Sequence, residues 1–223
     1  MQRLLAQDYQ ESEVFFHGFF VKYFSSFMRL ISISIALLLI TFHLSAQDRK
    51  LTYNVVRNGK VIGTLDFVES ISNNSIHFNL SSEVKTRFVF TFTVKAKEES
   101  IYKDGILIYS SVYRNFNGKV KIDKQTRYEG GVYKVTNKGE AEQMKIDPIH
   151  YNFHGLYLFE PKQLSLVYSD NFGKYMTIIK MPDNKYKVNL PDDNYNYYYY
   201  KDGICQKVEM FTSLYTAQLV LKK

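Results

Sequence analysis

LTYNVVRNGKVIGTL, residues 51–65, is the stretch whose reading decides the fold. Two runs of β-branched and aromatic residues, 51–57 and 60–70, flank Asn58-Gly59, the dipeptide that best tolerates the two positive φ angles of a type I′ turn. A turn this tight leaves its strands no choice but to pair with each other, antiparallel. The device recurs downstream: Lys103-Asp104-Gly105 leads into 106–116, Asn117-Gly118 into 119–129, and Gly130-Gly131 into 132–136. Parallel pairing needs crossovers of about a dozen residues or more, so the sheet is expected to be mostly antiparallel.

Ser72-Asn73-Asn74 turns the chain into a further strand, 76–85, and then FVFTFTVKAK, residues 88–97, carries the clearest alternation in the chain. Phe88, Phe90, Phe92, Val94 and Ala96 share one face, while Thr91, Thr93, Lys95 and Lys97 share the other, the period of two of a half-buried strand. Between Asn137 and Asp170 the alternation is lost, and Pro148 and Pro161 bracket IHYNFHGLYLFE, which reads as one or two helical turns or as an irregular loop across the end of the sheet. Strands resume over 174–181, 186–190, 195–200, 204–212 and 214–221. The pentapeptide Tyr-Lys-Asp-Gly-Ile occurs at 102–106 and again at 200–204, without extension of the match on either side, and is read as repeated turn chemistry rather than as a duplication.

The fold class that follows is all-β: an antiparallel meander of about ten to twelve strands that hides its edges by curling or by closing into a barrel-like sheet, with a two-sheet β-sandwich as the alternative. With 36 Tyr and Phe residues and no Trp, the aromatic content favours strands and contact surfaces with an apolar body and a polar tip. Cys205 is the only cysteine, so the core must supply the stability that a disulfide would otherwise add.

Upstream of the sheet, MRLISISIALLLITFHLSAQ (28–47) reads as an export signal. Arg29 gives a positive start, residues 30–42 an apolar run of roughly the 7–15 residues such signals use, and Leu44-Ser45-Ala46 a small-residue cleavage site. The competing reading, a membrane-spanning helix, needs about 20 apolar residues. Residues 1–27 would place the signal inside the chain and are read as an upstream extension outside the fold. The expected organisation is therefore an extension (1–27), a signal peptide (28–46) and a single periplasmic or secreted all-β domain (47–223), not membrane-spanning after cleavage. The formal charge is +7, but the lysines stand singly beside turns and on alternate strand positions, which argues for a solvated surface rather than a nucleic-acid interface.

LTYNVVRNGKVIGTL after the signal, the central KDGILIYSSVYRNFNGKVK, the late YNYYYYKDGICQKVE and the C-terminal LVLKK together resemble a family of exported proteins of Bacteroidota-like Gram-negative bacteria, a domain of unknown function. The resemblance spans residues 51–223 and implies one exported domain. It implies no activity and no site residues.

Candidate chemistry is sparse. His150 and His154 stand i, i+4, a spacing that on a helix presents two imidazoles to a metal, with Asp147 or Glu160 as third ligand; Tyr151 stands where an HExxH protease carries Glu. Cys205 follows a hairpin turn beside Ile204 and reads as a small apolar residue rather than a nucleophile. There is no phosphate-binding Gly-rich loop and no GxSxG. Tyr195, Tyr197 and Tyr199 share one strand face, with Tyr198 and Tyr200 on the other; the run reads as a central strand packing rings on both sides, as a platform for a sugar, or as the polar mouth of an apolar pocket.

The expected function is non-enzymatic binding: a module without cofactor whose curled sheet holds a lipid or another apolar or amphipathic small molecule, with Phe88, Phe90 and Phe92 lining it. Two alternatives differ in class. One is a surface module that binds an envelope glycan or a protein through its tyrosines, and the other is a hydrolase whose acidic residues assemble only in space.

Overall fold

The computed structural model describes residues 48–222 apart from 73, 88–90 and 214. The export segment, the extension before it, and Phe88 and Phe90 lie outside the described residues.

Every tight turn named above folds as its residues dictate. Asn58 and Gly59 take φ of 48° and 71°, Asp104 and Gly105 51° and 76°, and Asn117 and Gly118 47° and 81°, so each hairpin closes through left-handed backbone that glycine, asparagine and aspartate accept. The first of these turns joins β1 (Arg49–Arg57) to β2 (Lys60–Ser72). There follow β3 (Ser75–Arg87), β4 (Thr91–Lys103), β5 (Ile106–Phe116), β6 (Lys119–Glu129), β7 (Val132–Asn137) and β8 (Glu140–Met144). After the irregular region, which holds one helical turn, α1 (Gly155–Leu158), come β9 (Leu166–Ser169), β10 (Lys174–Met181), β11 (Lys185–Asn189), β12 (Tyr195–Lys201), β13 (Ile204–Phe211) and β14 (Thr216–Leu221).

All fourteen strands belong to one unclosed, curled antiparallel meander, in the order β8-β7-β6-β5-β4-β3-β2-β1-β14-β13-β12-β11-β10-β9. The sandwich alternative is therefore set aside. The first and last strands among the described residues, β1 and β14, pair at the middle of the sheet, from Tyr53 opposite Leu221 to Val56 opposite Gln218, which leaves β8 and β9 as its two ends. Those two are the strands that the sequence did not announce. The two copies of Tyr-Lys-Asp-Gly-Ile make the same hairpin: Tyr102 faces Leu107 and Tyr200 faces Cys205, each next to a register shift of one residue.

The segment from 145 to 165 that connects the sheet ends runs against the inside of the curl. Ile149, Asn152, His154, Leu156 and Leu158 are all buried. Its backbone is stitched to both halves of the sheet: Leu107 N–H of β5 donates to Ile149 O, Tyr168 N–H donates to Tyr151 O, and Phe153 N–H donates to Tyr168 O along the outer edge of β9. An edge strand presents unpaired peptide groups, and this segment covers them. Buried phenols meet the peptide groups left over inside: Ile149 N–H donates to Tyr133 Oη at 2.8 Å, and Tyr200 Oη–H donates to Leu156 O at 2.7 Å. An unmet peptide group in such a place costs about 1–3 kcal/mol, which is why tyrosine rather than phenylalanine suits these positions.

Candidate functional site

The inward face of β4 runs Phe92, Val94, Ala96, Glu98, Ser100, Tyr102, so the alternation that begins apolar ends by pointing a carboxylate and a hydroxyl into the core. Directly across, β5 brings Arg114 opposite Ala96, Val112 opposite Glu98 and Ser110 opposite Ser100. The internal segment supplies Asn152 and His154, and the end of β9 leads to Asp170. The result is a buried polar chain. Arg114 Nη2 donates to Glu98 Oε1 at 2.8 Å, and Glu98 Oε2 lies 3.4 Å from His154 Nε2, out of hydrogen-bonding alignment. Ser100 Oγ and His154 Nδ1 are 2.6 Å apart, and Asn152 Nδ2 donates both to Ser100 Oγ at 2.7 Å and to Asp170 Oδ2 at 2.8 Å.

The charges in this cluster are set by opposing effects. Burial resists ionisation of Glu98, but Arg114 and His154 outweigh it and hold the carboxyl down at about 2. Asp170 has no such cation in contact. Burial pushes its carboxyl up, against the nearby His154 imidazole and Ser110 hydroxyl and the hydrogen bond from Asn152, and its Oδ1 has no partner among the described residues. An acid with a raised folded value loses stabilisation as pH rises from its ordinary value through the folded one. Asp170→Asn is accordingly expected to gain stability relative to the native protein with rising pH, as read from urea midpoints between acid and alkaline buffers; a constant difference across that range would count against an ionising buried carboxyl.

Serine, histidine and glutamate here stand in the order of a hydrolytic relay, but Ser100 has no exposed surface and its hydroxyl is already held between His154 Nδ1 and Asn152 Nδ2. No substrate reaches it in this arrangement. Nor are the two histidines of the i, i+4 pair brought together. The chain around them is irregular and α1 begins only at Gly155, so His154 faces the core while His150 is exposed, with Nδ1 2.8 Å from Gly105 O. Among the described residues no group of three His, Cys, Asp or Glu side chains is placed to hold a metal. Cys205 is buried, and burial pushes its thiol up to about 12, so it packs as an apolar side chain.

The tyrosine run divides as strand geometry requires. Tyr198 and Tyr200 point inward and are buried; Tyr195, Tyr197 and Tyr199 point outward and are half-buried. Their ring faces are occupied. Lys207 Nζ sits 4.0 Å from the Tyr199 centroid, Lys187 Nζ 4.4 Å from that of Tyr195, and Lys185 Nζ 4.8 Å from that of Tyr197, while Phe211 stacks on Tyr195 at 4.9 Å. Phe92 lies on the inside of the sheet, half-buried, with its ring 5.3 Å from Phe116.

One further feature of the inner face bears on ligands. Near Phe78, Ser100 and Ser110 it is fully buried beneath the internal segment, but toward the opposite strand ends it opens: Val84, Val94 and Phe116 lie in one cross-strand row and, with Phe92, are only half-buried although they face inward. Arg114, 38% exposed, stands at the boundary between the two zones.

A family model, described as a domain of unknown function (DUF6134), matches residues 53–222, which spans nearly all of the sheet from β1 to β14. The chain belongs to the DUF6134 family. No curated protein matches it. Among solved structures it is similar to a β-barrel-like protein of another domain of unknown function, DUF1849, from Brucella abortus, with a TM-score of 0.51 at 10% identity over 80% of this chain and 96% of that one. At that identity the likeness shows the fold alone, a curled barrel-like sheet. No helix among the described residues is long and apolar enough to cross a membrane.

Proposed function

We propose that this DUF6134 protein is an exported, non-enzymatic binding module that holds an apolar or amphipathic small molecule within the open end of its curled sheet. The observation that carries the reading is the half-buried inner row of Val84, Val94 and Phe116, with Phe92 beyond it. Inward-facing apolar side chains of a meander are normally sealed by the opposite wall; left half-exposed, they favour a guest that removes them from water, at roughly 25 cal/mol per Å² covered. The opposite end of the interior is filled by the 145–165 segment, so the half-buried apolar row lies beside the buried polar side chains around Ser100; we call this open end the cup. The closed environment of Ser100 and Cys205 supports binding rather than catalysis.

The test is titration of the mature domain with a fluorescent polyene fatty acid. Saturable binding is expected for the native protein and a loss of at least tenfold for Val94→Asp, whose charge enters the cup at a position exposed enough to leave folding intact, as its thermal midpoint will report. Absence of saturable binding, or binding untouched by Val94→Asp in a folded protein, overturns the reading.

A further inference from the structure

The outer face of β10 to β13 gathers lysines and tyrosines from three adjacent strands. Cross-strand register places Lys185 and Lys207 on either side of Tyr199, and Lys187 beside Tyr197. All three ammonium groups are thereby held over phenol rings, within 4.0 to 4.8 Å of a centroid. Among the described residues, Lys207 is the one of the three that forms an ion pair, with Glu209 at 2.9 Å, a carboxylate that also accepts a hydrogen bond from Tyr199 and feels the charge of Lys185. Adjoining this strip on the same face, Ile179 stands directly opposite Lys187, and Leu166 lies one strand further out; they are 41% and 50% exposed.

We propose that this strip docks the protein on an anionic lipid surface. Positive charge fits either a lipid headgroup layer or an acidic polysaccharide, and two features decide between them. The ring faces on which a sugar would stack are already taken by ammonium groups. The exposed aliphatic side chains of Leu166 and Ile179 have no use for a polysaccharide, whereas a bilayer accepts them at the boundary between headgroups and acyl chains. Tyrosine belongs at that same depth, apolar body inward and hydroxyl outward, and lysines with apolar stems keep their ammonium groups at headgroup level. This reading does not depend on the cup, which opens on the inner side of the sheet.

The experiment is co-sedimentation of the mature domain with phosphatidylcholine vesicles, with and without phosphatidylglycerol, at low and high salt. Binding is expected only with phosphatidylglycerol and should fall with salt. At about fivefold per lysine near the surface, the triple variant Lys185→Gln, Lys187→Gln, Lys207→Gln should partition roughly a hundredfold less. Replacing the same three with arginine should preserve binding, and Leu166→Ser with Ile179→Ser should weaken what survives at high salt. Val94→Asp should leave vesicle binding unchanged, which separates this surface from the cup. No vesicle binding, a triple variant that binds as the native protein does, or capture by a soluble acidic polysaccharide in place of vesicles would each overturn the proposal.

Discussion

Glu98→Ala is expected to destabilise the protein by about 3 kcal/mol near neutral pH, at the lower end of the 3–5 kcal/mol for breaking a buried ion pair. The discount follows from exposure: Glu98 is 15% exposed, but Arg114 is 38% exposed and recovers some hydration when its partner is lost. The pair is also a weak net source of stability, because both charges were taken from water to make it. Replacing both ends with leucine should therefore cost less than removing either alone, a difference that a double-mutant cycle of urea midpoints measures directly. The pH dependence has a definite sign. Glu98 is held down at about 2 in the folded protein, so its contribution is complete above the ordinary glutamate value and is lost as pH falls from there through about 2. Glu98→Gln should flatten that acid limb, and an unchanged limb would place the carboxylate outside the pair's influence.

How far this site was legible in the sequence depends on which strand carried it. Alternation through Phe92, Val94 and Ala96 already fixes the inward parity of β4; carried two and four residues further, it puts Glu98 and Ser100 in the core, whereas Arg114 comes opposite Ala96 only through the one-residue register shift at Ile101 and Tyr102, which the Asp104-Gly105 hairpin does not announce. That parity is written in the sequence, although a glutamate and a serine break the apolar pattern beyond Lys97. Asn152, His154 and Asp170 carried no comparable signal, because an irregular segment takes its place from long-range packing rather than from its own period. The same cause hides β8 and β9. Glu140 to Gln143 are all exposed, so no core face writes an alternation into them, and Leu166–Ser169 is too short to show one. The tyrosine run was legible as two faces, but the lysines over its outer rings come from β11 and β13 and appear only when register is known.

Gly63→Val is expected to be the most damaging single change in the sheet, costing more than about 3 kcal/mol or preventing folding, and the reason differs from that at the glycine four residues earlier. Gly59 sits in the turn with φ of +71° and nothing within 4 Å of the position a Cβ would take, so Gly59→Ala pays only for left-handed backbone, about 1–2 kcal/mol. Gly63 has ordinary strand backbone and no room. A Cβ there would lie 2.2 Å from Glu83 O and 2.7 Å from Val84 Cα, and both are backbone atoms of β3 that no rotamer change can move aside. The only relief is separation of β2 from β3 at a point where both belong to long, continuous ladders. Overpacking of side chains typically costs 1–3 kcal/mol because neighbours yield; a backbone neighbour does not, so the penalty should exceed that range. Glycine within a strand marks such close approaches, and this one faces the row of Val84, Val94 and Phe116 and lies opposite Val55, beside the register shift between Val55 and Val56. Its missing side chain thus allows the close approach of β2 and β3 in the row where the inner face opens. Comparing Gly59→Ala, Gly63→Ala and Gly63→Val by urea unfolding separates the two causes: equal losses for the two alanine variants would mean that conformational freedom alone matters, whereas a loss at position 63 that grows with side-chain volume is the mark of a steric one.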